Sequence, residues 1–309
     1  MAELTAPDDE PRRQVVLVTG CSSGFGEVIA KTLAKAGHTV YATIREIDGR
    51  NVAAAQALRA WATDHGASLR VVEMDVASDE SVDVAVASIL RVQPIDAVVN
   101  NAGISATGPL EAFDSAQWRE LFNVNAFGPL RVNRAVLPAM RQRRSGLLLH
   151  ISSTLGRVLP GLGGLYPASK WALEGLVESL HYEVKPFGVD AVILEPGSFP
   201  TLSVARGMLP ADSNVAAVYA RESRFTGFAK PGPDYVPPDL RDVGDAVLRL
   251  IELPEGERPL RTVVGPIFTE GVAAFNETYE LVKARLAESL KRPDQAITWA
   301  KGQEAMDAR

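Results

Sequence analysis

Short, nearly uninterrupted apolar runs alternate along this chain with longer stretches whose apolar positions recur at helical spacing. The runs at 14–19 (QVVLVT), 39–43, 69–74, 97–100, 147–152 and 189–194 lack an inside/outside alternation, as expected of strands covered on both faces. Helical patterns fill the gaps at 26–36, 52–63, 80–92, 116–143 and 167–184, and Gly37 and Gly66 stand where left-handed caps would close two of them. This strand–helix repetition predicts an α/β fold: a doubly wound parallel sheet with right-handed crossovers and helices on both faces, in three layers.

After Pro196 the rhythm breaks. Residues 198–238 carry Pro200, Pro210, Pro231, Pro233, Pro237 and Pro238 among Phe199, Met208, Tyr219, Phe225 and Phe228, with no clear period. Such a stretch predicts a functional loop or lid. A helix over 240–253, a strand near 261–264 and a helix over 273–290 complete the pattern. One domain over 14–265 accounts for it, preceded by a flexible leader at 1–13 and followed by a C-terminal helical extension at 266–309, whose end beyond 290 reads as solvated.

Composition removes several function classes. With 46% hydrophobic residues in 309, the chain can bury a core large enough to offset its ordering entropy, so disorder is excluded. Its 32 basic and 38 acidic residues leave a net charge of −6, which argues against a nucleic-acid partner. The single cysteine, Cys21, excludes an intrachain disulfide and a Cys-rich zinc site, and the four histidines lack metal-ligand spacing, so no metal is expected. No run reaches the ~18 apolar residues of a membrane span. The first residues, MAELTAPDDEPRRQ, have no apolar core of a signal peptide, so a cytoplasmic location is expected.

The first strand runs into Thr19-Gly20-Cys21-Ser22-Ser23-Gly24-Phe25-Gly26. Glycines between a strand and a helix let backbone amides approach a pyrophosphate at the helix N-terminus. The same letters, Gly20-x-Ser22-x-Gly24, also fit the nucleophile elbow of a serine hydrolase. That element normally follows several strands and needs an Asp and a His, whereas His150 and His181 sit mid-element with no motif around them. At the end of the second strand an acidic residue would accept the ribose hydroxyls of NAD. This chain instead offers Ile44 and Arg45, with Ser23 nearby, so a 2′-phosphate is favoured and NADP(H) is expected over NAD. Glu46, one residue on, is the contrary feature, and a plain surface arginine is the alternative.

Tyr166-Pro167-Ala168-Ser169-Lys170 opens a helix and places a phenol and an ammonium one turn apart. An ammonium favours phenolate, and a phenol can exchange a proton with a carbonyl or hydroxyl oxygen. The spacing alone is weak, since Tyr279 and Lys283 repeat it. Thirteen residues before Tyr166 stands Ser153, at a strand end; thirteen before Tyr279 stands Pro266, which offers no hydroxyl. Tyr279 and Lys283 therefore read as helix surface or interface.

Over about residues 14–265 the sequence resembles the short-chain dehydrogenase/reductase family, in its single-domain form with a Rossmann-type sheet. The glycine loop 19–26 is similar to the family's, Asp75-Val76 to its adenine contact, and Asn100-Asn101-Ala102-Gly103 to the segment beside the cofactor. Asn125, Ser153, Tyr166 and Lys170 match the catalytic set, and Pro196-Gly197 with Thr201 matches the loop flanking the nicotinamide. The resemblance implies that Gly20, Ser22, Ser23, Gly24, Phe25, Gly26, Arg45, Asp75, Val76, Asn101, Ala102 and Gly103 bind the cofactor together with Tyr166, Lys170, Pro196, Gly197 and Thr201. It implies Tyr166 as general acid/base, with Ser153 polarising the substrate oxygen. Lys170 would lower the tyrosine pKa and bind the nicotinamide ribose, and Asn125 would hold a relay water.

The wording TGCSSGFG and YATIRE is similar to the hydroxysteroid and retinol dehydrogenase branch, which handles lipophilic carbonyls and alcohols. Leu155, Leu159 and Leu162 after Ser153, with Phe199, Leu202, Met208 and Phe225 on the lid, suit an apolar substrate. Equally, they would pack the lid on the domain. The family implies a homodimer or homotetramer built through the helices at 116–143 and 167–184, and NADPH implies carbonyl reduction. A nucleotide-sensing regulator on the same fold, binding a partner through the C-terminal helix, is the alternative from another class.

Overall fold

The central strands form because they are buried on both faces, so β-branched and leucine side chains serve either side of the sheet, while the edge strand keeps exposed Arg70 and Glu73. A computed structural model describes residues 13–159, 164–199, 207–222, 237–266 and 269–291. Its strands are β1 (Val15–Val18), β2 (Thr39–Ile44), β3 (Leu69–Glu73), β4 (Ala97–Asn100), β5 (Gly146–Ile151), β6 (Val189–Pro196) and β7 (Arg261–Val264). They make one all-parallel sheet in the order β3-β2-β1-β4-β5-β6-β7. The doubly wound expectation is met.

Helices α1 (Gly24–Lys35), α2 (Val52–Asp64) and α8 (Arg241–Glu252) belong to one face; α3 (Asp79–Leu90), α5 (Gly128–Arg143) and α6 (Leu165–Val184) cover the other. Each face has its own apolar cluster, one around Ile29, Leu33 and Val247, the other around Val86, Val132 and Leu173. The order reverses at β1, whose neighbours β2 and β4 leave a crevice at the carboxyl ends of the strands.

Some of the expected helix bounds need correction. The helix expected over 116–143 is three pieces: α4 (Ser115–Phe122), a wide π-type turn at Asn123–Phe127, and α5. The lid expected over 198–238 contains a helix, α7 (Ser213–Glu222), begun by Asp212, whose Oδ1 accepts from the amides of Asn214 and Val215. The final helix, α9 (Thr269–Ser289), starts earlier than its pattern suggests. No helix among the described residues is long and apolar enough to cross a membrane.

His150 on β5 is fully buried within a chain of side-chain hydrogen bonds. Asn133 Oδ1 accepts from Asn100 at 2.8 Å, so its amide nitrogen must donate to His150 Nε2, at 2.9 Å. The ring is then neutral, with Nδ1–H donating to the Val192 carbonyl at 3.2 Å. Burial lowers its pKa to about 4. An unfolded histidine takes up its proton near pH ~6.5, so the stability due to the neutral ring is complete above that pH and lost as pH falls towards 4. Between pH 7 and 4 the wild type is expected to lose about 3 kcal/mol more unfolding free energy than His150→Gln, read by urea titration. Parallel pH curves would show that the ring does not titrate on unfolding.

Candidate active site

The crevice is built by backbone meeting backbone. Thr19 Oγ1, at the end of β1, accepts from the amides of Asn101 and Ala102, both at 2.9 Å. Asn101 Nδ2 returns bonds to the carbonyls of Thr19 (2.8 Å) and Gly20 (3.2 Å). Gly20 has a φ of +72°, and a Cβ there would lie 2.8 Å from the Ala102 Cα. A Cβ on Gly26 would collide with the Gly20 carbonyl and stand 2.5 Å from Asn101 Nδ2. Gly24 also has a positive φ, +62°. Only glycine fits these close approaches.

Ser23 precedes α1 in extended conformation and makes no side-chain cap, so no hydroxyl occupies the first-turn amides of the helix. Those amides and the dipole behind them can take an anion. Cys21 does not share that role: it is buried and its Sγ lies 3.3 Å from the Val18 carbonyl, and burial pushes the thiol far above its ordinary pKa. Phe25 packs edge-on against Phe199, with ring centroids 5.3 Å apart.

At the end of β2, the Arg45 side chain is partly exposed and has no hydrogen-bond or ion-pair partner among the described residues. Glu46 turns away through a φ of +52°, and its carboxylate lies 3.3 Å from Arg50. The contrary carboxylate is thus engaged elsewhere. Asp75 Oδ1 accepts from the Ala77 amide at 2.9 Å, which leaves the second carboxylate oxygen for a ligand. Val76 is buried against the start of α5, where a Cβ on Gly128 would stand 3.0 Å from it.

Ser153 follows β5, and Tyr166, Ser169 and Lys170 lie in the first turns of α6, where Pro167 fits because early helix positions need no N–H donor. The Ser153 hydroxyl lies near enough to the Tyr166 phenol to counter part of the effect of burial on it. Lys170 is buried, its ammonium 5.8 Å from the centre of the Tyr166 ring, and it donates to the Ile151 carbonyl at 2.8 Å. The wide turn before α5 carries Asn125, whose Oδ1 accepts from the Ile104 amide while Nδ2 donates to the Ile104 carbonyl, both at 2.9 Å, and to Ser169 at 3.0 Å. Wide turns of this kind often mark functional sites. A Cβ on Gly103 would lie 3.4 Å from Asn125 Oδ1 and 3.9 Å from Lys170 Nζ, so the 101–103 segment passes against both.

Burial pushes the Tyr166 phenol up to about 12, opposed by the Ser153 hydroxyl. Burial brings Lys170 down to about 8, opposed by the charge of Glu174 one turn along. Burial thus outweighs the Ser153 hydroxyl, and the phenol holds its proton.

The expected substrate contacts divide. Met208 is tied to the chain after Gly103 by its amide donating to Ser105 (2.7 Å) and its carbonyl accepting from Thr107 (3.1 Å), and it packs in an apolar cluster with Ile104 and Tyr166. Leu159 is exposed, a few residues from Ser153. Phe199 is buried in the other cluster, against Phe25 and Gly265, and so serves packing there. Pro196 ends β6, and Gly197 donates to the Val264 carbonyl at 2.8 Å. Thr201, Leu162, Leu202 and Phe225 lie outside the described residues. Ser22 has no histidine partner: His38, His65, His150 and His181 are bonded to Gln14, Trp61, Asn133 and Val192, and Ala191. The elbow reading therefore fails. Sequence reasoning placed Thr19 and Ser169 inside their motifs but gave neither a role: Thr19 joins the two loops, and Ser169 braces Asn125, both through contacts with residues distant in the chain.

The short chain dehydrogenase profile matches residues 14–207. Retinol dehydrogenase 8 of Homo sapiens is 38% identical over 206 residues, covering 66% of this chain and 64% of that protein. The match with the human and bovine retinol dehydrogenases thus spans less than two thirds of their length. A short-chain dehydrogenase structure from Streptomyces avermitilis is 33% identical with a TM-score of 0.69, covering 91% of this chain and 97% of that one. An alcohol dehydrogenase from Thermococcus sibiricus, solved with 5-hydroxy-NADP, is 28% identical with a TM-score of 0.63, covering 82% and 96% of the two chains.

Lys170 is expected to titrate near pH 8 in nucleotide-free protein, read from its side-chain 15N NMR signal. Glu174→Gln removes the charge that opposes burial and should lower the midpoint further. A titration at the ordinary lysine pKa in both proteins would contradict this account.

Proposed function

Because the chain belongs to the short-chain dehydrogenase/reductase family, we propose that it is an NADP(H)-dependent oxidoreductase interconverting a carbonyl and an alcohol on a lipophilic substrate. The observation that carries the reading is the convergence of the Ser153 hydroxyl on the Tyr166 phenol, with the Lys170 ammonium one turn along. A serine donor, a proton-bearing phenol and a cation in one place suit an oxygen that must gain or lose a proton as hydride moves.

The residues present fit a dinucleotide. The glycine cradle and uncapped α1 would hold the pyrophosphate, Asp75 and Val76 would border the adenine, and Arg45 would pair with a 2′-phosphate. Asn101, Ala102, Gly103, Pro196 and Gly197 would border the nicotinamide half, with Thr201 assigned there by the family likeness alone. When bound, the nicotinamide supplies or accepts the hydride. Ser153 orients the substrate oxygen and donates to it as negative charge develops. Tyr166 gives its phenolic proton to that oxygen in reduction and takes it back in oxidation. Lys170 stabilises the phenolate left behind, and Asn125 fixes the 103–104 backbone against Lys170 through its bonds to Ile104. A phenol raised to about 12 holds its proton at neutral pH, the form that donates to a carbonyl oxygen in reduction.

Met208, Ile104 and Leu159 provide an apolar surround, which supports a lipophilic substrate. The name of the human relative, retinol dehydrogenase, agrees with this. The exposed Phe127 and Trp171 on the helices at 116–143 and 167–184 support the expected homodimer or homotetramer.

NADPH should bind more tightly than NADH, and Arg45→Asp should reverse the preference, read by fluorescence titration; equal binding by the wild type would sink the arginine argument. With NADPH and a panel of apolar aldehydes and ketones, Tyr166→Phe should lower kcat by about 10²–10⁴-fold while the fold and nucleotide affinity persist. An unchanged rate would remove Tyr166 from the chemistry.

A further inference from the structure

Helix α9 lies beyond the residues that the family profile matches, yet buried polar contacts join it to the reacting centre. Asn276, 1% exposed, is the link. Its Oδ1 accepts from Arg157 Nε at 2.8 Å, and its Nδ2 donates to Glu195 Oε2 at 2.6 Å. An arginine nitrogen can only donate, so the amide orientation is fixed by chemistry. Arg157 stands four residues after Ser153 on the segment leaving β5, and Glu195 directly precedes Pro196-Gly197. One side chain thus touches both segments that wall the reacting centre.

The contact is built on both sides. The Arg157 guanidinium lies 4.8 Å from the centre of the Phe275 ring and 4.6 Å from that of Tyr279, both on α9. Glu195 Oε1 lies 3.9 Å from Arg157 and 3.5 Å from Arg261. Docking of the helix alone needs no such polar bridge, since Val272 and Ala287 already bury apolar surface from it. Buried ionic groups are costly to desolvate and add little stability over apolar packing, but they hold one geometry and reject others.

We propose that Asn276 is a positioning residue that sets the spacing between the segment carrying Ser153 and the Pro196-Gly197 turn. The inference rests on the oxidoreductase reading above. An amide suits the place because it offers an acceptor to a guanidinium and a donor to a carboxyl group at once. A carboxylate there would face Glu195, and an apolar side chain would leave both charged partners short of a bond.

The test compares Asn276→Ala with Val272→Ala, two truncations of buried side chains on the same helix. Each full-length protein is assayed for Tm, for kcat and KM with NADPH and a carbonyl that the wild type reduces, and for hydrogen exchange in peptides covering 152–158 and 195–199. Asn276→Ala should lower kcat by about tenfold or more with NADPH affinity nearly kept, and should quicken exchange in both peptides. Val272→Ala, with a comparable loss in Tm, should leave kcat within about twofold and exchange in those peptides unchanged. Equal losses of kcat in the two variants, or unchanged exchange in either peptide of Asn276→Ala, would overturn the proposal. If Asn276→Ala does not fold, Asn276→Ser, which can keep one of the two bonds, carries the same comparison. If the wild type reduces no carbonyl, the oxidoreductase reading fails, and the exchange result alone decides whether Asn276 ties the two segments.

Discussion

The site depends on the seam where β1 and β4 end. There the chain leaves the sheet in two directions, and the crevice between is useful only if backbone can lie against backbone. Thr19 and Asn101 supply the bonds that close the seam; Gly20 and Gly26 supply the absence of side chain that lets it close. The two loops divide the work. Amides 101 and 102 are spent inward on Thr19 and give the crevice its shape, whereas the first amides of α1 face no capping side chain and remain to bind. A rigid half and a receptive half follow from four short residues.

From that seam the reacting group is reached in one further step. The segment after Asn101 passes Gly103 and is gripped at Ile104 by Asn125, whose remaining donor reaches Ser169 on the helix that carries Tyr166 and Lys170. The wide turn at Asn123–Phe127 makes this possible, because an extra residue in the turn redirects the asparagine across to Ile104. The glycine loop and the Tyr166–Lys170 turn are therefore parts of one hydrogen-bonded frame, and the position of Tyr166 is set by β4 as well as by its own helix.

How much of this could be read from the sequence depends on the range of each interaction. The strands were legible because burial on both faces leaves a continuous apolar run, and the glycine loop because its constraint is local. Pattern alone ran 116–143 together as one helix, since a single inserted residue disturbs the apolar period little; Gly128-Pro129 at the start of α5 was the local trace of the break. Helix α7 escaped because it is short and lies within a proline-rich stretch, although Asp212 is a readable cap. Phe199 shows the opposite failure: composition placed it with the lid, whereas its neighbours Phe25 and Gly265 come from distant segments. Tyr279 and Lys283, read as surface or interface, pack within the chain, Tyr279 against the cations of Arg157 and Arg261 and Lys283 on Glu178 at 2.7 Å.

The least legible part is the charge cluster under the site, where partners come from opposite ends of the chain. Arg157, Arg261 and Lys283 meet Glu174, Glu178, Glu195 and Glu280, three cations against four carboxyl groups. Burial and the neighbouring Glu174 raise Glu195 well above the carboxylate range, against the pull of Arg261, Asn276 and Arg157. The cluster matters beyond stability. Glu174 bonds Arg261 at 2.8 Å while standing one turn from Lys170, whose charge it supports against burial. Arg261 thus holds in place the carboxyl group that supports the charge of Lys170. The C-terminal helix is therefore linked to the segment after Ser153 through Asn276, and to the surroundings of Lys170 through Glu280, Arg261 and Glu174. Neither link is visible in any motif, because each is a relation between residues that the chain brings together only by folding.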